Sequence, residues 1–166
     1  MSKKKADWAK GLLLFVAVLA SFPVPILQAQ SQRASNIAVV VNPDTPVSDL
    51  SLEEVRKIFL GDRQYWTAKL PVVLLIRAPV ARERDMVLQV IYQMSEAQFT
   101  RYWVAKIFRA ESATAPKIVY SNDLANQLTA TLPGAIVFMD ARDVRPGLKI
   151  IRVDGYLPNE AGYPLK

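Results

Sequence analysis

The chain has 166 residues, carries a formal charge of +6 and contains neither cysteine nor histidine. Without cysteine, disulfide stapling and thiol catalysis are excluded. Without histidine, the commonest metal ligand and general base are missing, so zinc chemistry and triad hydrolysis have little to build on. The length points to one domain with something appended.

The N-terminus reads as an export signal. Lys3, Lys4, Lys5 and Lys10 form a positive leader, and Gly11 to Phe22 is an apolar run. Pro23 and Pro25 follow, and cleavage is expected after Ala29, making residues 1–29 a signal peptide. An uncleaved inner-membrane anchor is the alternative, although spanning takes roughly 20 apolar residues and the prolines interrupt a shorter run. Removing residues 1–29 takes four lysines against one aspartate, and the formal charge falls to +3. No basic run with interleaved aromatics remains, so nucleic acid is not an expected partner.

Residues 30–35 are polar and read as a disordered linker, and a domain is expected over 36–155. "NIAVVVNP" (Asn36 to Pro43) is a buried β-branched strand closed by Asn-Pro, and Thr45 to Asp49 is a polar connection. In "LSLEEVRKIFLG", Ser51 and Glu54 have the spacing of a capping box, with Leu50 and Val55 stapled around it. Leu52, Val55, Ile58 and Phe59 share one helical face, and Gly61 suits the left-handed residue that ends the helix. "LPVVLLIR" (Leu70 to Arg77) is a second buried strand, followed by the loop "APVARERD". A helix is expected from Arg82 to Met94, with Val87, Val90, Ile91 and Met94 inward.

Ser95 and Gln98 form another capping box, opening a helix that carries Phe99, Tyr102, Trp103 and Ile107. Residues 109–116 are a loop and "KIVY" a short strand. Ser121 caps a helix running to Leu132, with Leu124 and Leu128 inward. Pro133-Gly134 turns into the strand "AIVFM", and "LKIIRVD" is the last strand, paired antiparallel with it across an Arg-Pro-Gly turn. Residues 156–166 are too rich in Gly and Pro for either periodicity and form a C-terminal tail. Wholly apolar strands alternating with helices predict an α/β fold of three layers, a mostly parallel sheet with helices on both faces.

The acids are scattered and read as solvated, with no pair set for general acid/base work and no nucleophile beside a base. Catalytic residues, cofactors and a metal site are therefore not expected. One place could build anion chemistry. Arg77 ends a buried strand, a helix starts nearby, and Arg82 and Arg84 follow; guanidinium suits phosphate and carboxylate. The opposing reading is that these arginines are solvated or pair with Glu83 and Asp85.

Four stretches, "VVVNPDTPVSDLSLEEVRKIFLGDRQYW", "FTRYWVAKIF", "LPGAIVFMD" and "LKIIRVDGYLPNEAGYPL", resemble the phosphate-type periplasmic substrate-binding proteins of ABC transporters. The resemblance covers about Ile37 to Leu165 and implies one lobe of a type 2 periplasmic-binding-protein fold, in a short single-lobe member. It implies a periplasmic protein that recognises phosphate or another oxyanion, partnered by an ABC permease or a sensor protein, with a homodimer left open. The family's anion loop reads R-x-D-x-S-G-T, where this chain has Arg77, Ala78, Pro79, Val80, Ala81, Arg82 and Glu83. Only Arg77 matches. The ligand residues so implied are Arg77 as charge contact, with backbone amides from Ala81, Arg82 and Glu83; Pro79 has no N–H to add, and Glu83 would repel an anion. Val137 and Phe138 also depart from the family's small-aromatic pair and are expected to fill space near the cleft. The alternative function is an interaction or sensor-accessory module that keeps the fold without a ligand.

Overall fold

A computed structural model describes residues 37–165; the expected signal, the linker and Lys166 lie outside the described residues. The strands are β1 (Ile37–Val41), β2 (Asp49–Leu50), β3 (Tyr65–Thr67), β4 (Leu70–Pro71), β5 (Val73–Arg77), β6 (Lys117–Val119), β7 (Ala135–Asp140), β8 (Lys149–Ile150) and β9 (Arg152–Val153). The helices are α1 (Leu52–Phe59), α2 (Arg82–Met86), α3 (Glu96–Phe108) and α4 (Asn122–Thr131).

Five strands make the central sheet in the order β6-β5-β7-β1-β8. β5 runs parallel to β6 and to β7, while β1 is antiparallel to both of its neighbours, β7 and β8. The sheet is thus mostly parallel, with β1 as the reversed member. The expected hairpin between the last two strands does not form. β1 lies between β7 and β8, which therefore run in the same direction, because the segment through Pro146 and Gly147 carries the chain past β1. The predicted last strand also splits: β9 leaves the central sheet and pairs parallel with β2.

Why the strands are apolar throughout is clear from their packing. Ile37, Val39 and Val41 of β1, with Ile136 and Phe138 of β7, enter a core shared with residues of α1 and α3. Ala38, Val40, Val137 and Met139 enter a second core with Ala125 and the half-buried Leu124 and Leu128 of α4. Both faces are covered, so alternation between polar and apolar residues has no place. Phe59 of α1 meets Phe138 with ring centroids 4.4 Å apart. Val137 and Phe138 thus sit in the two cores, which corrects their expected place near a cleft.

The helix starts follow the caps. Ser51 with Glu54 and Ser95 with Gln98 both complete capping boxes, and the Ser121 hydroxyl accepts from the Leu124 amide. Gly61 has φ +72°, and a Cβ there would meet the Trp103 ring, so glycine is required twice over. The expected helix from Arg82 departs from its pattern. α2 widens after Met86 into a π-helical stretch, Val87–Tyr92, which ends at a left-handed Gln93. The wider turn brings Leu88 and Tyr92 inward beside Val87 and Ile91, and leaves Val90 and Met94 only half-buried.

Two further segments are more structured than their sequence indicates. β3 and β4 form a small antiparallel hairpin, and the Trp66 indole donates to the Gly134 carbonyl at 2.8 Å, fastening the hairpin to the turn before β7. The tail folds back into the core: Tyr163 and Leu165 are buried, the Tyr163 hydroxyl donates to the Ile37 carbonyl at 2.6 Å, and the Ile37 amide donates to Leu165.

Candidate functional site

The connections around β5 determine where a site can form. From β5 the chain passes through α2 and α3 to β6 on one side, then through α4 to β7 on the other. The direction of strand addition reverses at β5, and ligands of open α/β sheets bind outside the carboxyl ends of strands at such a point. Arg77 is the last residue of β5 and lies opposite Val119 of β6, while Asp140 is the last residue of the neighbouring β7.

Beyond Arg77 the chain turns sharply. The Ala78 amide donates to Val119, and the Ala81 amide donates back to the Ala78 carbonyl at 3.3 Å. Pro79 and Val80 are the turn's central residues. Val80 has φ +66° and is 97% exposed, so a β-branched residue occupies a conformation that favours glycine. α2 then starts at Ala81, which supplies no side-chain cap.

The Arg77 side chain is only 10% exposed. Its Nε lies 3.9 Å from a carboxylate oxygen of Glu83, whose side chain is equally buried. At that distance the two attract by charge but share no hydrogen bond. Nε and Nη1 of Arg77 are buried and have no hydrogen-bond partner.

A second arginine supports the first. Arg84 is buried, makes a bidentate pair with Glu96 at 2.7 Å on both branches, and donates from Nη1 to the Arg77 carbonyl at 3.2 Å. Its guanidinium also lies 4.5 Å from the centre of the Phe99 ring. The Arg84 hydrogen bonds hold the Glu96 carboxyl below the usual carboxylate range. At the end of β7, the buried Asp140 takes two hydrogen bonds from the Arg142 guanidinium, at 3.0 and 2.8 Å, and lies 3.8 Å from Arg82.

The four residues expected to bind an anion are brought to one edge, but with different duties. Arg77 keeps donors to offer. Glu83 turns its carboxylate onto Arg77, so it is buried rather than solvated. The Ala81 amide is used by the turn, which removes one of the three amides expected from the helix end. Arg82 faces Asp140. Glu83 and Asp140 also correct the expectation that the acids are solvated. Arg84 and Glu96 as a rigid support, and Asp140 as a partner of two arginines, carry no sequence signal, because their partners lie in other elements. A cavity of about 310 Å³ opens at the opposite end of β5, between the β3–β4 hairpin, Trp103 and residues 112–115; none of the four residues lines it.

The fold, though not the site, can be compared with solved structures. A protein described as a phosphate ABC transporter substrate-binding protein from Clostridium perfringens, with bound phosphate, superposes with a TM-score of 0.63 at 18% identity, over 78% of this chain and 51% of that one. The fold is one lobe of a type 2 periplasmic binding protein. An ABC-type phosphate transport receptor from Vibrio cholerae matches the lobe with a TM-score of 0.59 at 19% identity, over 75% and 48% of the two chains. PstS from Borrelia burgdorferi gives 0.58 at 15% identity, over 75% and 49%. The lobe spans about half the length of the structures it matches. No protein-family model matches it, and no curated protein does.

Proposed function

We propose that the chain is an exported, periplasmic solute-binding lobe that recognises phosphate or another oxyanion for ABC transport, acting by binding rather than catalysis. Arg77 is the direct charge contact, with the turn from Ala81 through Arg82 and Glu83 as the rim of the site and an ABC permease as the partner. One observation carries this reading: two nitrogens of the Arg77 guanidinium, Nε and Nη1, are buried without hydrogen-bond partners. A buried donor left unsatisfied costs about 1–3 kcal/mol, more when charged, and an oxyanion oxygen would remove that cost. The neighbouring fold in Clostridium perfringens holds phosphate, which is the chemistry a guanidinium at a strand end suits.

A second reading has its own support. Glu83 already neutralises Arg77, and its carboxylate would repel an incoming anion. That favours an interaction or sensor-accessory module that retains the fold. Titration calorimetry of the purified protein with phosphate, sulfate and small carboxylates separates the two. Heat that disappears in Arg77→Ala supports anion recognition; no heat at millimolar anion, with both proteins folded by circular dichroism, supports the interaction module.

A further inference from the structure

We propose that the cavity at the amino end of β5 is a second binding site, one that takes a small carboxylate with an aromatic body. It does not depend on anion recognition at Arg77. The cavity holds about 310 Å³, a volume typical of small-molecule sites, and packed proteins leave few spaces larger than a water molecule.

The strand register makes the space. β5 pairs with β6 only from Leu75 onward, which lies opposite Lys117. The residues before Lys117 leave the sheet, and Ala115 and Leu74 both line the gap that results. Gly61, Ala113 and Ala115 put little side chain into it. An unused donor faces the same gap. The Val73 amide donates to Gly134 on the β7 side, and the Ala78 amide donates to Val119 on the β6 side. Backbone groups alternate in direction along a strand, so Leu74, like Ala78, aims its N–H towards β6. A continued ladder would offer it the Ala115 carbonyl. That pairing does not form, and the Leu74 amide is without a hydrogen-bond partner among the described residues.

The lining sets the character of the ligand. Ile58, Val72 and the Trp103 ring give an apolar floor, and Tyr65 lines the cavity while 58% exposed. No acid lines it, and its charged residues are Arg63 and Lys117. Lys117 shares a strand face with Val119, which packs in the core on the α4 side, whereas Ile58 and Trp103 lie on the other face. The cation at the cavity is therefore Arg63. Its side chain is 32% exposed, its guanidinium lies 5.7 Å from the centre of the Trp66 ring, and its contact with Glu54 is a long 3.4 Å. A guanidinium and a free amide donor beside an apolar, aromatic floor select an anionic head on a flat apolar body. An inorganic anion leaves the floor uncovered, and a neutral ligand leaves the guanidinium unmatched.

The space is held open in advance. The Gln64 side-chain amide donates to the Glu111 carbonyl at 2.7 Å, tying the start of the β3–β4 hairpin to the loop that follows α3. The Ser112 hydroxyl donates to the Thr114 carbonyl at 2.9 Å and orders that loop. A site fixed before binding loses less freedom when its ligand arrives.

Phenylacetate is the probe, titrated into the isotope-labelled full chain and followed by nuclear magnetic resonance. Saturable shifts at the Leu74 amide and the Gln64 side chain are expected, with a Kd below about 1 mM. Arg63→Gln should weaken binding at least about tenfold, and phenylacetamide, which keeps the body without the charge, should bind more weakly than the acid by a similar factor. Ala115→Phe, at an exposed loop position, fills the space and should abolish the shifts in a protein that remains folded. Inorganic phosphate should leave the Leu74 amide unmoved, which separates this site from the one at Arg77. No saturable shift up to about 10 mM phenylacetate, shifts gathered at the Arg77 turn instead, equal binding of acid and amide, or binding insensitive to Arg63→Gln overturns the proposal.

Discussion

Replacing Glu83 with glutamine probes the site at its centre. Gln keeps the size of the side chain and removes the charge that faces Arg77 at 3.9 Å. At that separation, an effective dielectric of about 20 gives an attraction of about 4 kcal/mol, much of it offset by the desolvation of both groups. Because the pair lacks a hydrogen bond, a net loss of about 1–2 kcal/mol is expected, which lowers Tm by roughly 3–8 °C in a domain of this size. The same carboxylate repels an anion at Arg77, so its removal should tighten phosphate or sulfate binding by about 10–100-fold. The assay is thermal unfolding in phosphate, sulfate and chloride at matched ionic strength. Anion bound only by the folded state adds RT ln(1 + [L]/Kd), so Glu83→Gln should regain in millimolar sulfate much of the stability it lost. No anion-dependent gain beyond wild type, or a gain that persists when Arg77→Ala is added, would falsify the assignment of Arg77 as the charge contact.

Three further outcomes follow from the structure. Val80→Gly should stabilise the fold by about 0.5–1 kcal/mol, since relief of a left-handed β-branched residue outweighs the added chain entropy of glycine; urea unfolding measures it. Tyr163→Phe removes the donor to the buried Ile37 carbonyl and should cost about 1–3 kcal/mol, seen as a lower urea midpoint at unchanged slope. Glu96 contributes an acid-side pH dependence. Its carboxyl is depressed by Arg84 in the fold, so the unfolded chain takes up the proton first as pH falls. Its stabilisation is therefore present above the ordinary carboxylate range and fades below about pH 4.5, down through the depressed value. Glu96→Gln should flatten that limb of the stability profile, read from unfolding midpoints between pH 3 and 7.

The site combines rigidity at its base with strain at its tip. Arg84 is clamped by Glu96 and holds the Arg77 carbonyl, so the end of β5 has little freedom. The turn beyond it stores strain at Val80, and residues in sparsely populated backbone regions collect at functional sites.

What the sequence determined by itself was local. Ser51, Ser95 and Ser121 announce the starts of α1, α3 and α4, because a cap involves residues only a few positions apart. Gly61 announces an end for the same reason, and the uninterrupted apolar runs at Ile37, Val73 and Ala135 announce strands covered on both faces. Arg77 was legible as a cation at a strand end, since strand and loop adjoin it. The tertiary structure alone decided everything that depends on partners distant in the chain. The reversal of β1 between β7 and β8, the return of Tyr163 and Leu165 to the core, and the pairing of Arg84 with Glu96 all join segments whose local patterns are silent about each other. The π-helical widening after Met86 belongs there too, because it brings Leu88 and Tyr92 inward against a helical pattern that placed Val90 and Met94 there. The pairing of Arg77 with Glu83 was one of two readings the sequence left open, and the structure decides for it. That the pair is buried is a tertiary fact, because a charge enters a protein interior only where the fold covers it together with its counter-charge.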